Sequence, residues 1–192
     1  MRSGKLRRGV GTPHPPKEGT PVYGYIFAQS FSGNFANVEA LVTTTPPGIR
    51  YATLLTTGSY ALFAAWEGDT VGEWEDAQDD LATAGASSLD AFTGVLPQYD
   101  SQSTIQPPLV PPKFTAEAAF EAFVRVGLAP GVGLGFLQAA ASIATVIGAC
   151  VTSDLGGLVE VGATSYEDLA DGIVEVGDIT GVTVLSTSLA GT

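Results

Sequence analysis

The sequence predicts an α+β fold in which two tandem βαββαβ units pack sheet to sheet as a pseudo-dimeric α/β sandwich, preceded by an extended N-terminal arm. Three observations lead there. Strand-like and helix-like runs follow the order βαββαβ and then repeat it. A proline-rich stretch separates the repeats. The strands carry apolar residues on both faces, so each sheet needs a cover on its second side. With 192 residues, 45% of them hydrophobic, and 24 glycines and 12 prolines, the chain can bury a core and still turn often.

Residues 1–20 form a basic arm without periodicity, rich in Gly and Pro. The first unit spans 21–97. "PVYGYIFAQS" is its opening strand, with Val22, Ile26 and Ala28 on one side and Tyr23, Tyr25 and Phe27 on the other. "NFANVEALVTT" is a short helix, and "IRYATLLTT" with "YALFAAWEG" makes a hairpin about Gly58-Ser59. "TVGEWEDAQDDLATA" is an acidic helix and "SLDAFTGVL" the closing strand. Residues 98–116 are a proline-rich linker whose Pro107-Pro108 and Pro111-Pro112 favour an extended spacer. The second unit, 117–192, repeats the grammar: "FEAFVRVGLA" strand, "GLGFLQAAASIA" helix, "VIGACVTSD" and "GLVEVGAT" hairpin, "SYEDLADGIVEVGDI" helix and "VTVLSTSLA" strand. Each unit is a ferredoxin-like split βαβ with two helices on one face.

Charge is unevenly spread. The net charge is −12, yet Arg2, Lys5, Arg7, Arg8 and Lys17 crowd the arm and leave Arg50, Lys113 and Arg125 for the rest. Such a body repels phosphate backbones, which argues against nucleic acid as a partner and favours arm docking on an acidic protein surface. No apolar core follows the basic N-terminus, so no secretory signal is expected, and the location implied is cytoplasmic or virion. Residues 126–153 carry no charge, but "APGVGLG" breaks the run and argues against a membrane span.

The sequence offers little for catalysis. A single cysteine, Cys150 in "VIGACV", reads as a buried thiol, and the single histidine, His14, lies among prolines. No catalytic set, metal site or cofactor is therefore expected. "GVGLGF" mimics a dinucleotide fingerprint, but Phe136 stands at the third glycine position and too little chain follows Asp154 to complete a nucleotide-binding sheet.

"TTGSYALFAAWEGDTVGEWED" and "SYEDLADGIVEVGDITGVTVLSTSLA" resemble the ligand-binding and oligomerisation domain of the leucine-responsive regulator/AsnC family, and Pro21 to Leu189 resembles two tandem copies without the helix-turn-helix. The resemblance implies paired sheets and a small-molecule site near the hairpin turn. Gly58 and Tyr60 match the family's Gly-x-Tyr, with Ala61 where an acidic residue is usual; Asp154 and Gly156 hold those places in the second copy.

The candidate ligand-binding residues are Gly58, Tyr60, Arg125, Asp154 and Glu160. Arg125 and Glu160, on the first and third strands of the second unit, point away from the neighbouring valines and are expected to face each other across the inter-sheet layer, binding an amino acid or fixing register. Trp66 and Trp74, with Glu73 and Asp76 on the acidic helix, are candidate interface residues. That strip could receive the basic arm of a neighbouring copy. The reading that follows is a non-enzymatic assembly protein, an oligomer whose arm anchors a duplicated block in a shell, as in a virion capsid or head. The alternative is an amino-acid-sensing domain that has lost its DNA-binding part.

Overall fold

Alternation along the strands sorts their side chains into two layers, and the elements follow from that sorting. The computed structural model describes residues 22–42, 48–100 and 118–191; the basic arm and most of the expected linker lie outside them. The order is β1 (Val22–Phe31), α1 (Phe35–Val42), β2 (Gly48–Leu54), β3 (Leu62–Gly68), α2 (Val71–Thr83), β4 (Ala86–Asp100), β5 (Phe120–Leu128), α3 (Gly133–Ser142), β6 (Val146–Thr152), β7 (Gly156–Ala163), α4 (Tyr166–Gly177) and β8 (Val182–Leu189). The uncharged run 126–153 divides among β5, α3 and β6, and no helix among the described residues is long and apolar enough to cross a membrane.

The expected pair of stacked sheets is replaced by one antiparallel sheet of eight strands, ordered β2-β3-β1-β4-β6-β7-β5-β8. The join is β4 against β6, with Gly94 opposite Thr152 and Asp100 opposite Gly148. β4 runs to Asp100, past the expected end of the first unit at residue 97, and the register slips between Val95 and Gln98. Pro97 falls within that slip, where a residue with no N–H interrupts no ladder bond. Pairing edge to edge hides two exposed strand edges that stacking would have left open.

The two outer strands also meet. Leu55 bridges Ala190, Thr56 N–H donates to the Leu189 carbonyl at 2.8 Å, and Gly191 N–H donates to the Leu54 carbonyl at 2.8 Å. The sheet thus curls until its edges touch. The inner face supplies the cover that a second sheet was expected to give: Tyr25, Phe27, Phe63, Phe92, Phe123, Cys150 and Leu158 form one buried cluster there. Phe63 and Phe123 stack with centroids 4.1 Å apart, and Phe27 lies 4.9 Å from Phe63. Burying each of these rings is worth about 1.5–3 kcal/mol.

The outer face carries the helices over two further cores. Ile26, Ala64 and Trp66 meet Trp74 and Leu81 of α2; Val124, Val126 and Val159 meet Phe136 and Leu137 of α3, with Leu169 and Val176 of α4. Local chemistry sets the helix starts. Thr70 accepts from Glu73 N–H while the Glu73 carboxylate accepts from Thr70 N–H, a reciprocal cap, and Ser165 Oγ accepts from Asp168 N–H at 3.1 Å.

Trp66 and Trp74 are therefore not an interface patch. They are 2% and 7% exposed, with centroids 5.2 Å apart, because α2 lays its apolar side on β1 and β3. Glu73 is engaged by the cap, and Asp76 lines a cleft of about 210 Å³ with Asp80, Leu41 and Ile49. The ring of Trp74 lies where a Cβ on Gly24 would stand. Gly24→Ala should cost about 1–3 kcal/mol through overpacking, read as a lower denaturation midpoint by tryptophan fluorescence; an unchanged midpoint would show that the indole does not seat on that backbone.

Candidate functional site

A set of inward-facing polar side chains gathers at one mouth of the curled sheet. Asp90 shares the inner face of β4 with Phe92, and Arg125 that of β5 with Phe123. Tyr60 arrives from the turn between β2 and β3, where Gly58 has φ +89°. A Cβ on Gly58 would come within 2.7 Å of Ser188 Oγ and the Thr187 carbonyl, so the turn both requires glycine and lies on β8. Thr152 and Asp154 come from the turn between β6 and β7. Its next residue, Leu155, holds φ +63° and is 83% exposed, an unfavourable backbone for a branched side chain.

These groups form one chain of contacts. Arg125 Nη2 donates to Asp154 Oδ2 at 2.6 Å, and Nη1 lies 3.7 Å from Asp90 Oδ2. Tyr60 Oη donates to Asp90 Oδ2 at 2.5 Å and accepts from Arg125 Nη1 at 3.4 Å. Thr152 Oγ1 donates to Asp154 Oδ1 at 2.5 Å. The guanidinium carbon sits 4.5 Å from the centroid of the Phe92 ring, so the cation lies on an aromatic floor. The Arg125 side chain is 14% exposed, whereas both carboxylates are 41% exposed and present their outer sides to solvent. Burial, followed by the bond to Asp90, pushes the Tyr60 phenol above its ordinary pKa and keeps it a proton donor.

The structure thus brings together Tyr60, Arg125 and Asp154, and places Gly58 in the turn that delivers Tyr60. Glu160 stands apart from them: it is opposite Phe123 in the β5–β7 register and fully buried, while Arg125 is opposite Leu158 and pairs with Asp154 and Asp90 instead. Asp90 and Thr152 escaped the sequence reading. Asp90 carried a signal, since it lies two residues before Phe92 on the same strand face. Arg2, Lys5, Arg7, Arg8 and Lys17 lie outside the described residues.

No family model matches the chain, and no curated protein matches its sequence. Solved structures do match. A mutant chlorite dismutase from Candidatus Nitrospira defluvii superposes with a TM-score of 0.56 at 10% identity, covering 89% of this chain and 92% of that one. The same enzyme in complex with imidazole gives 0.54 at 10% identity, covering 89% and 91%. A further structure assigned as a chlorite dismutase gives 0.55 at 6% identity, covering 89% and 94%. The fold is that of the chlorite dismutases.

That finding corrects the resemblance to the leucine-responsive regulator/AsnC family: the βαββαβ order is common to both, but the matches are to chlorite dismutase structures. It also overturns the reading as a non-enzymatic shell or capsid protein and its alternative, the amino-acid-sensing domain, because the architecture is one on which enzymes are built. Haem is the cofactor that such a fold implies. The described residues of this chain do not fit a haem. They include no histidine or methionine, and the cores between sheet and helices are lined by apolar side chains. Burial pushes the Cys150 thiol up to about 12 and the Tyr25 phenol well above its usual value, so neither offers an anionic axial ligand near neutral pH. Among the described residues no group of three or more His, Cys, Asp or Glu could hold a metal ion.

The raised groups carry a pH signature. Cys150 moves from 9.0 to about 12 by desolvation, and Tyr23 from 10.0 to about 12 by desolvation and then the nearby Glu67 charge. A group raised on folding contributes its full stability below its unfolded pKa and loses it as pH climbs through the folded value. The denaturation midpoint should therefore hold to about pH 9 and fall between 9 and 12. In the same series the native thiol should resist a disulfide reagent at pH 8 that labels the unfolded chain at once. Rapid labelling of native protein would show that Cys150 is not held in the inner core.

Proposed function

We propose that the chain is an acid–base enzyme acting on a small molecule at the Arg125 mouth. The observation that carries this reading is the Tyr60–Asp90–Arg125 contact chain: a carboxylate open to solvent on one side, oriented by a phenol and a guanidinium on the other. Asp90 is placed to accept a proton from a bound molecule. Tyr60, kept protonated, is placed to donate a hydrogen bond or return a proton. Arg125 is a positioning residue: Phe92 and Asp154 fix its plane, and it fixes Tyr60 and Asp90 in turn. The exposed Leu155 supplies an apolar rim beside them, and its strained backbone is of the kind that collects at working sites. Support for an enzyme rather than an inert latch comes from the architecture it shares with chlorite dismutases.

One guanidinium against two carboxylates leaves the mouth negative, so the substrate class is a neutral or cationic molecule with an acidic O–H or C–H rather than an oxyanion. A panel of such compounds should be screened by thermal shift and turnover, with chlorite included as the oxyanion control. Asp90→Asn preserves shape and should lower kcat by about 10²–10⁴-fold with little change in melting temperature, and Tyr60→Phe should lower it less. Full activity in Asp90→Asn would refute the assignment. If no compound stabilises the wild-type chain, the cluster is a structural tie and nothing more.

A further inference from the structure

The cleft between α1, β2 and α2 has no part in the Arg125 mouth. Its floor is apolar, set by Leu41, Ile49 and Ala77, and one rim carries Asp76 and Asp80. Both aspartates are exposed, and their spacing of about one helical turn puts them on the same side of α2. Among the described residues no cation pairs with either: Arg50 holds Glu67, and Arg125 holds Asp90 and Asp154.

The helix itself calls for positive charge. Glu73, Glu75, Asp76, Asp79 and Asp80 share α2 with no lysine or arginine. Glu73 closes the cap at the positive end of the helix dipole, but Asp79 and Asp80 stand near the negative end, where the dipole opposes them. Glu75 with Asp79, and Asp76 with Asp80, also repel as like charges four positions apart. A cation held in the cleft relieves both costs.

The chain carries its own source. Arg2, Lys5, Arg7 and Arg8 precede β1, with Leu6 among them. Val22, the first described residue, pairs with Gly68 just before α2 opens at Val71, so the arm leaves the body at the corner where that helix begins. The residues between Arg8 and Val22 can span roughly 45 Å when extended, about twice the ~20 Å length of α2. The corresponding cleft beside α4 has Asp168, Asp171 and Glu175, but Ala144, Thr145 and Ala163 give it no large apolar floor.

We propose that the segment Lys5–Arg8 of the chain's own arm docks in the α1–α2 cleft, with Leu6 on the Leu41–Ile49–Ala77 floor and the flanking cations on Asp76 and Asp80. The cleft of about 210 Å³ has room for one aliphatic side chain, and its rim has the charge to select a basic segment.

The test treats the full chain at low salt with a water-soluble carbodiimide, which joins amines to carboxylates in contact, and reads the links by peptide mass spectrometry. Lys5 should be found on Asp76 or Asp80 within the monomer, and raising sodium chloride to about 0.5 M should cut the yield about fivefold or more. No Lys5 link to α2, equal yield on Asp168, Asp171 or Glu175, or links confined to a covalent dimer would overturn the proposal. Proteolysis gives a second reading. At low salt trypsin should cut after Arg7 and Arg8 of the full chain about fivefold more slowly, or slower still, than in a free peptide of residues 1–20. Asp76→Asn with Asp80→Asn should bring the rate to that of the peptide without lowering the melting temperature, whereas Asp171→Asn with Glu175→Gln should leave the protection in place. Equal cutting of wild-type chain and peptide, or protection that survives loss of both α2 aspartates, would overturn it.

Discussion

The inner face of one curled sheet is filled with aromatic rings, and the rest of the structure depends on keeping them dry. Phe27, Phe63 and Phe92 come from strands β1, β3 and β4, and Phe123 from β5, so neither half of the chain can bury them alone. A flat sheet would leave that face wet once the helices had taken the other. Curling brings Phe63 onto Phe123 and closes the edges at Leu55 and Ala190, which satisfies the apolar surface and the backbone groups in one movement. The β4–β6 ladder makes this continuous, and the slip at Pro97 lets β4 bend from one half into the other.

The same filling decides where chemistry can sit. With the interior largely occupied by rings, the inward polar residues that reach water gather toward one mouth, whereas Glu160 is fully buried opposite Phe123. Arg125 is two positions from Phe123 on β5, and Asp90 two from Phe92 on β4; strand parity alone puts both on the inner face and beyond the aromatic layer. Their approach is then completed by turns whose backbones are costly. Gly58 at positive φ brings Tyr60 inward, and Leu155 at positive φ tightens the turn that carries Asp154. A site built this way spans both halves, with Tyr60 and Asp90 from the first and Arg125, Thr152 and Asp154 from the second.

Much of this was legible in the sequence, for identifiable reasons. Two-residue alternation in "VYGYIFA" and turn chemistry at Gly58-Ser59 mark elements through local interactions, and local interactions are what a sequence displays. The need for a cover over Tyr25 and Phe27 was also visible. How that need is met was not, since stacking and curling bury the same residues and differ in which edges pair. Pro97 in the final strand read as its end, because a proline stops a regular ladder and gives no sign that a bulge will accommodate it. Asp90, inside "SLDAFTGVL", belongs to no motif and so passed unnoticed. Trp66 and Trp74 looked like a patch because acidic neighbours surround them in sequence, whereas the helix turns those neighbours outward and the indoles in. Arg125 and Glu160 share a face of adjacent strands, but register places Glu160 opposite Phe123, and the arginine follows its own strand end to Asp154.

The shortage of cations sharpens the reading of Arg125. Among the described residues the positive side chains are Arg50 and Arg125, against a chain that is strongly acidic overall. Arg50 spends its charge on the surface at 3.7 Å from Glu67, with both side chains more than a third exposed, where an ion pair contributes little. Arg125 is desolvated against Phe92 and shared between two carboxylates. A guanidinium used only to hold the halves together would gain most from one bidentate partner and a closed environment. Here it contacts three oxygen-bearing side chains while the two carboxylates keep their outer sides in water, which leaves proton-accepting groups oriented and accessible where the two halves meet. The arrangement spends a scarce cation on geometry rather than on neutrality, and geometry is what proton transfer requires.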